Sequence, residues 1–179
     1  MAKEKHIIVG VTASVAIYKT CDIIRRLIDE KLSVSVVMTK ESQEFIRPAL
    51  FRHLAASRVY GELFDAPGDW EIEHVSLAER ADTVLIVPAT ANIIGKLACG
   101  ICDDLLTCVV CATKAPVLIC PAMNENMYLN RIVQDNIARL KRFGCGFVEP
   151  KRGKLACGKV GVGCLADVDI IIKELKNIL

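Results

Sequence analysis

The sequence predicts a doubly wound α/β domain, a mostly parallel sheet with helices on both faces. Three observations predict it. Short β-branched apolar runs alternate with stretches whose apolar residues recur at helical spacing, the pattern of parallel strands joined by crossover helices. Hydrophobic residues make up 53% of the 179-residue chain but aromatics only 5%, so Val, Ile, Leu and Ala must build the core, as in strands covered on both sides. Small polar segments follow the apolar runs, where a sheet of this kind opens onto a crevice. No repeat, low-complexity stretch or linker divides the chain, so residues 1–179 read as one domain.

The elements follow in order. His6 to Thr12 is a buried strand, and Ala13 and Ser14 turn the chain into a helix from Val15 to Glu30, with Ile23, Ile24, Leu27 and Ile28 on one face. Ser33 to Met38 is the second strand, followed by a helical stretch from Phe45 to about Ala56. Asp65-Ala-Pro-Gly-Asp69 carries strong turn chemistry, and Val75 to Ala81 reads as a short helix. Thr83 to Val87 is a third buried strand, ended by Pro88. Helical pieces at Ala91–Cys99 and Asp103–Ala112 flank Gly100. Val117 to Cys120 is a strand ended by Pro121, Asn130 to Phe143 a helix, and Gly146 to Val148 a short strand. Lys151 to Gly163 is glycine-rich and reads as a loop, and Asp167 to Leu179 is a closing helix.

Composition narrows the function. A net charge of +2 is too small to indicate nucleic acid. No apolar run approaches the ~18 residues of a membrane span. Met1 leads within a few residues into the first strand, without a signal-peptide pattern. Nine cysteines, an odd count, read as reduced cytosolic thiols, most of them small core residues.

In such sheets ligands bind beyond the carboxyl ends of the strands. Four small polar segments meet there: Ala13-Ser14-Val15, Thr39-Lys40-Glu41, Pro88 to Asn92, and Pro121 to Asn124. Amides at the helix starts suit a phosphate. Gly10-Val-Thr-Ala-Ser14 is not GxGxxG, so it reads either as a plain turn capped by Ser14 or as part of a mononucleotide site, not a dinucleotide one. Thr90 and Asn92 can cap the next helix or bond a planar heterocycle or phosphate. His74 is an acid–base candidate or a structural histidine. Cys99-x2-Cys102 and Cys108-x2-Cys111 suggest zinc at first sight. A continuous helix, however, places the two pairs on opposite faces, so core packing is the preferred reading and no metal is expected. Cys157 differs: the segment from Arg152 to Gly163 holds four glycines and three basic residues, which should leave it exposed and acidified.

Together these segments resemble the flavin-containing cysteine decarboxylases over nearly the whole chain. Pro88-Ala-Thr-Ala-Asn92 is similar to the family's Pro-Ala-Ser-Ala-Asn-Thr flavin motif, with Ile93 in place of the final Thr. Pro121-Ala-Met-Asn-Glu-Asn-Met-Tyr128 is similar to its Pro-x-Met-Asn-x-x-Met-Trp substrate motif, with Tyr128 in place of Trp. Leu155-Ala-Cys-Gly158 resembles its substrate clamp, and His74 precedes a Leu-x-x-x-Ala-Asp segment (Leu77 to Asp82) as the family's catalytic His does.

The resemblance implies a Rossmann-like, flavodoxin-like sheet and an FMN cofactor held by Ala13, Ser14, Val15, Thr39, Thr90, Ala91 and Asn92. It implies His74 as acid–base, Asn124 as carboxylate ligand and Cys157 as proton donor. Met127, Lys154, Leu155 and Ala156 would contact the substrate. The expected reaction decarboxylates a small thiol acid, phosphopantothenoylcysteine, in coenzyme A biosynthesis. The expected setting is a cytoplasmic homotrimer or assembly of trimers. A peptide ending in cysteine is the nearest alternative substrate, but it needs no second reduction step and hence no Cys157. A non-catalytic flavin-binding regulatory subunit usually carries long acidic tails, which are not expected here, and an electron carrier would need none of His74, Asn124 and Cys157.

Overall fold

The computed structural model describes residues 5–63 and 73–179, so the turn expected at Asp65–Asp69 lies outside the described residues. Six strands form the central sheet: β1 (His6–Val11), β2 (Ser33–Met38), β3 (Val59–Tyr60), β4 (Thr83–Ala89), β5 (Val117–Pro121) and β6 (Gly146–Phe147). Their order is β3-β2-β1-β4-β5-β6 and every pairing is parallel. The order reverses between β1 and β4, so the loops leaving these two strands diverge and open a crevice at their carboxyl ends.

Strand alternation divides the core into two layers. Ile7, Val9 and Val11 of β1 face one side, against Ile23, Ile24 and Leu27 of α1 (Tyr18–Asp29), Phe51 of α2 (Pro48–Ala55) and Ile171, Ile172 and Leu175 of α8 (Val168–Ile178). Ile8 faces the other, with α3 (Glu73–Arg80), α4 (Ala91–Cys99), α5 (Leu105–Ala112) and α7 (Arg131–Arg142). Each fully buried Ile or Leu contributes about 1.5–3 kcal/mol relative to exposure. Gly10 lies on this second side, where an added Cβ would stand 2.6 Å from Leu106 Cδ1; the missing side chain lets α5 lie directly on the strand.

Three sequence expectations need correction. β4 does not end at Pro88. It continues to Ala89 through a cis Val87–Pro88 bond, and the pairing register with β5 shifts between Ile86 and Ala89, where a residue without an N–H is tolerated. The segment from Lys151 is not a loop but an antiparallel hairpin, β7 (Lys151–Lys154) and β8 (Val160–Cys164). A short helix, α6 (Glu125–Tyr128), follows β5.

The cysteines are the third correction. Only Cys120 is buried, while Cys99, Cys102, Cys111 and Cys157 are exposed. Leu105, Leu106 and Val109 hold the core face of α5, which turns Cys108 and Cys111 outward. Among the described residues no helix is long and apolar enough to cross a membrane.

Candidate active site

Three strand ends are laced together by two hydroxyls. Thr12, just past β1, donates to the carbonyl of Pro88 (2.7 Å) and accepts from the N–H of Thr90 (3.1 Å). Ser14 donates to the carbonyl of Ala122 beyond β5 (3.0 Å) and accepts from the N–H of Ala16 (3.4 Å). Thr39 extends the β1–β2 pairing through its N–H to Val11 (3.0 Å). Polar side chains here therefore fix the backbone before they meet any ligand.

Two hollows flank this turn. The smaller, about 270 Å³, lies over the strand ends and is lined by Thr12, Ala13, Thr39, Glu41, Thr90, Asn92, Ile93, Asp104 and Met127. Thr90 caps α4 by accepting from the N–H of Ile93 (3.4 Å), so the amides of the first turn of a nine-residue helix open beside the hollow. The Thr39 and Asn92 side chains make no hydrogen bond among the described residues. Free hydrogen-bonding groups, short side chains and a helix start fit a group with a planar polar ring and a phosphate.

The larger hollow, about 480 Å³, begins at Ser14, Val15 and Lys19. Asn124 lines it too, and the hairpin adds Lys154, Leu155, Ala156 and Cys157. Asn124 is the N-cap of α6: its Oδ1 accepts from the N–H of Asn126 (2.9 Å), while its Nδ2 points to Cys157 Sγ (3.9 Å). The amide oxygen is committed to the fold and the amide nitrogen is left for the cavity. Lys19 and Lys154 make the hollow suitable for an anion.

The hairpin is pinned at its base. Met123 N–H donates to the Gly163 carbonyl (3.0 Å) and Val162 N–H to Glu125 Oε1 (2.9 Å). Gly163 has φ +142°, and a Cβ there would meet the Met123 carbonyl oxygen at 2.1 Å. A Cβ on Gly161 would strike the Glu125 carboxyl at 2.5 Å. Glu125 is thus a positioning residue that the sequence reading missed. Its only signal was an acidic residue inside the Pro121–Tyr128 motif, with no hint that its partner lay 37 residues on.

The candidates divide between the hollows. Ala13, Thr39, Thr90 and Asn92 line the smaller one; Ser14 and Val15 line the larger; Ala91 opens α4 and lines neither. Met127, expected with the substrate residues, lines the smaller hollow instead. Tyr128 faces inward: its hydroxyl donates to Glu149 and its carbonyl accepts from Gln134 Nε2 (2.5 Å). Burial first, and then the Glu149 carboxylate, push the phenol up to about 12, so it remains a neutral donor. His74, the second residue of α3, is half-buried and lines neither hollow of its own chain.

The family model described as Flavoprotein matches residues 1–179. The chain belongs to the flavoprotein family. This flavoprotein is 40% identical over 173 residues to the coenzyme A biosynthesis bifunctional protein CoaBC of Bacillus subtilis (strain 168), covering 97% of this chain and 43% of that protein. The chain therefore spans less than half the length of that relative. It is also 40% identical over 175 residues to a Streptococcus mutans protein named "Probable phosphopantothenoylcysteine decarboxylase", covering 97% of this chain and 98% of that one. Among solved structures, a mutant of PPC decarboxylase complexed with pantothenoylaminoethenethiol superposes with a TM-score of 0.87 at 26% identity over 98% of both chains. The FMN-dependent cysteine decarboxylase SpaF gives 0.82 at 28% identity, over 97% of this flavoprotein and 98% of that chain.

Proposed function

We propose that this flavoprotein is an FMN-dependent decarboxylase that converts 4'-phosphopantothenoylcysteine to 4'-phosphopantetheine in coenzyme A biosynthesis, in the cytoplasm. The observation that carries the reading is the meeting of Asn124 and Cys157 across the larger hollow, one turn of chain from the strand-end hollow. Ala13, Thr39, Thr90 and Asn92, with Ser14, Val15 and Ala91 at the adjoining turns, would hold FMN. When bound, FMN supplies the hydride acceptor and donor that oxidation of the substrate thiol and its reversal require.

The chain's own groups have distinct tasks. Asn124 Nδ2 donates to the substrate carboxylate, which an ionised Asp would repel. Lys19 and Lys154 face the anionic end of the substrate, and Leu155 and Ala156 exclude water. Cys157, beside the position the carboxylate leaves, gives its thiol proton to the enethiol carbon. His74 takes the proton of the substrate thiol.

His74 lines neither hollow of its own chain, so in this reading it would reach the reaction from a second copy. The proposed assembly is a homotrimer or a set of trimers. Val15 and Tyr18, at the mouth of the larger hollow, are 56% and 60% exposed, apolar side chains in the position a subunit contact would cover.

The test is to supply phosphopantothenoylcysteine to the FMN-loaded protein and follow CO2 and product mass. The expected product is saturated. No CO2 would overturn the reading, and a product two hydrogens short would favour the peptide-cysteine alternative. Mixing His74→Asn and Asn124→Asp proteins, each inactive alone, should restore part of the activity if His74 acts on a neighbour's hollow. Continued inactivity after subunit exchange would place His74 within one chain.

A further inference from the structure

Two carboxylates tie down α6, one at each end. Glu125 joins its start to β8 through the N–H of Val162 (2.9 Å). Glu149, between β6 and β7, holds its end: the Tyr128 hydroxyl donates to Glu149 Oε2. Tyr128 is in turn held at two further points. Its carbonyl accepts from Gln134 Nε2 of α7 (2.5 Å), and its own N–H donates to the Asn124 carbonyl (2.9 Å). That last bond reaches the residue whose amide faces the larger hollow. α6 has only four residues, and so short a helix has little stiffness of its own to hold Asn124 if Tyr128 moves.

Helix α7 also orients the carboxylate. Lys141 Nζ donates to Glu149 Oε1 (2.5 Å) and lies over the Phe147 ring, 5.4 Å from its centroid. Desolvation alone would raise the Glu149 carboxyl, but the hydrogen bonds from Lys141 and Tyr128 outweigh it and hold it below the usual carboxylate range. Glu149 therefore stays an ionised acceptor. Tyr128 stands where the resembled motif has Trp, so its hydroxyl, which an indole lacks, has a fixed partner in this chain.

We infer that Glu149 is a positioning residue for the proposed decarboxylation, acting through Tyr128 to keep the Asn124 amide aimed at the substrate carboxylate. The inference rests on the function proposed above. Glu149 lines neither hollow and acts only through others. It fixes Tyr128, and Tyr128 fixes the Asn124 main chain. The Asn124 side chain, whose Oδ1 already accepts from Asn126, then has one direction left for Nδ2. Loss of this link is felt by a ligand that carries a carboxylate and not by one that has lost it.

Glu149→Ala, Tyr128→Phe and the double variant, each loaded with FMN, test this. The Glu149 side chain is 52% exposed, so its removal opens no cavity in the core. Each single variant should lose about tenfold in kcat/KM for phosphopantothenoylcysteine, near the worth of one hydrogen bond to a charged group. The inhibition constant of phosphopantetheine, which has no carboxylate, and the affinity for FMN should stay unchanged. The double variant should be no worse than either single, since both remove the same link. Unchanged kcat/KM, equal losses for substrate and product, or losses that multiply in the double variant would overturn the inference. Hydrogen exchange judges it without turnover. The amides of Asn126 and Tyr128, both bonded to Asn124, should exchange faster in each single variant. Unchanged exchange at both would also overturn it. Faster exchange in the variants, with no CO2 from the wild type, would refute the decarboxylase reading and leave the link from Glu149 to Asn124 standing.

Discussion

The two hollows share one turn of chain but are built in opposite ways. The smaller sits on strand ends whose residues are buried and laced by Thr12 and Ser14. The larger borrows a wall from an exposed hairpin held at its base by Glu125, Gly163 and an ion pair between Lys151 and Asp167. The difference separates holding from turning over. Damage to the laced ends should release the cofactor, whereas damage to the hairpin should spare it and stop the substrate steps.

Four substitutions break or sharpen that contrast. The largest effect is expected from Cys157→Ser on the hairpin. CO2 release should continue, but saturated product should fall roughly 10²–10⁴-fold, the usual range for a lost proton donor. Mass spectrometry of the product decides, and saturated product at the normal rate would remove Cys157 from the proton step. Gly163→Val comes next. Its Cβ would collide with the Met123 carbonyl, so the clamp should sit displaced and turnover should drop about 100-fold, as for small misplacements of catalytic groups. Loss of the yellow colour in that variant would show the two hollows to be one mechanical unit.

Glu125→Gln is the milder probe. The amide oxygen still accepts from Val162 but without the charge, so about tenfold in kcat/KM is expected, with flavin affinity unchanged. Equal kinetics would mean that backbone pairing alone holds the hairpin. Thr12→Val acts on the other hollow and should least affect turnover of the loaded enzyme. It leaves the Pro88 carbonyl and Thr90 N–H without their partner at a cost of about 1–3 kcal/mol. The midpoint of thermal unfolding should fall roughly 2–4 °C per kcal/mol, with faster flavin release. A kcat that fell with flavin saturating would sink the division of labour.

The same contrast explains what could be read from sequence. β1, β2 and β5 were legible because continuous β-branched runs mean strands buried on both faces, and the crevice followed from where those runs stop. The hairpin was not legible: Lys-Arg-Gly-Lys has no apolar residue, the two valines of Val-Gly-Val-Gly alternate only with glycines, and the pairing rests on main-chain bonds. Pro88 misled because a register shift, invisible in composition, accommodates it. The cysteines misled because burial depends on which face of α5 meets the sheet and on the turn at Gly100. Residue types at the candidate site were legible, but the division of Ser14 from Ala13 between two hollows was not. Nor was the place of His74 outside both.

The cap on α6 has a consequence for how the proposed reaction ends. Asn124 spends its oxygen on the N–H of Asn126 and so cannot flip. Its cavity side is permanently a donor, a reader of negative charge with fixed polarity. In the proposed reaction the substrate carboxylate would satisfy that donor, and the departure of CO2 would remove that acceptor. Product would then leave the amide nitrogen with only the long contact to Cys157 Sγ (3.9 Å) and water. The grip on the substrate is cancelled by the reaction itself, and the site favours emptying without a separate release step.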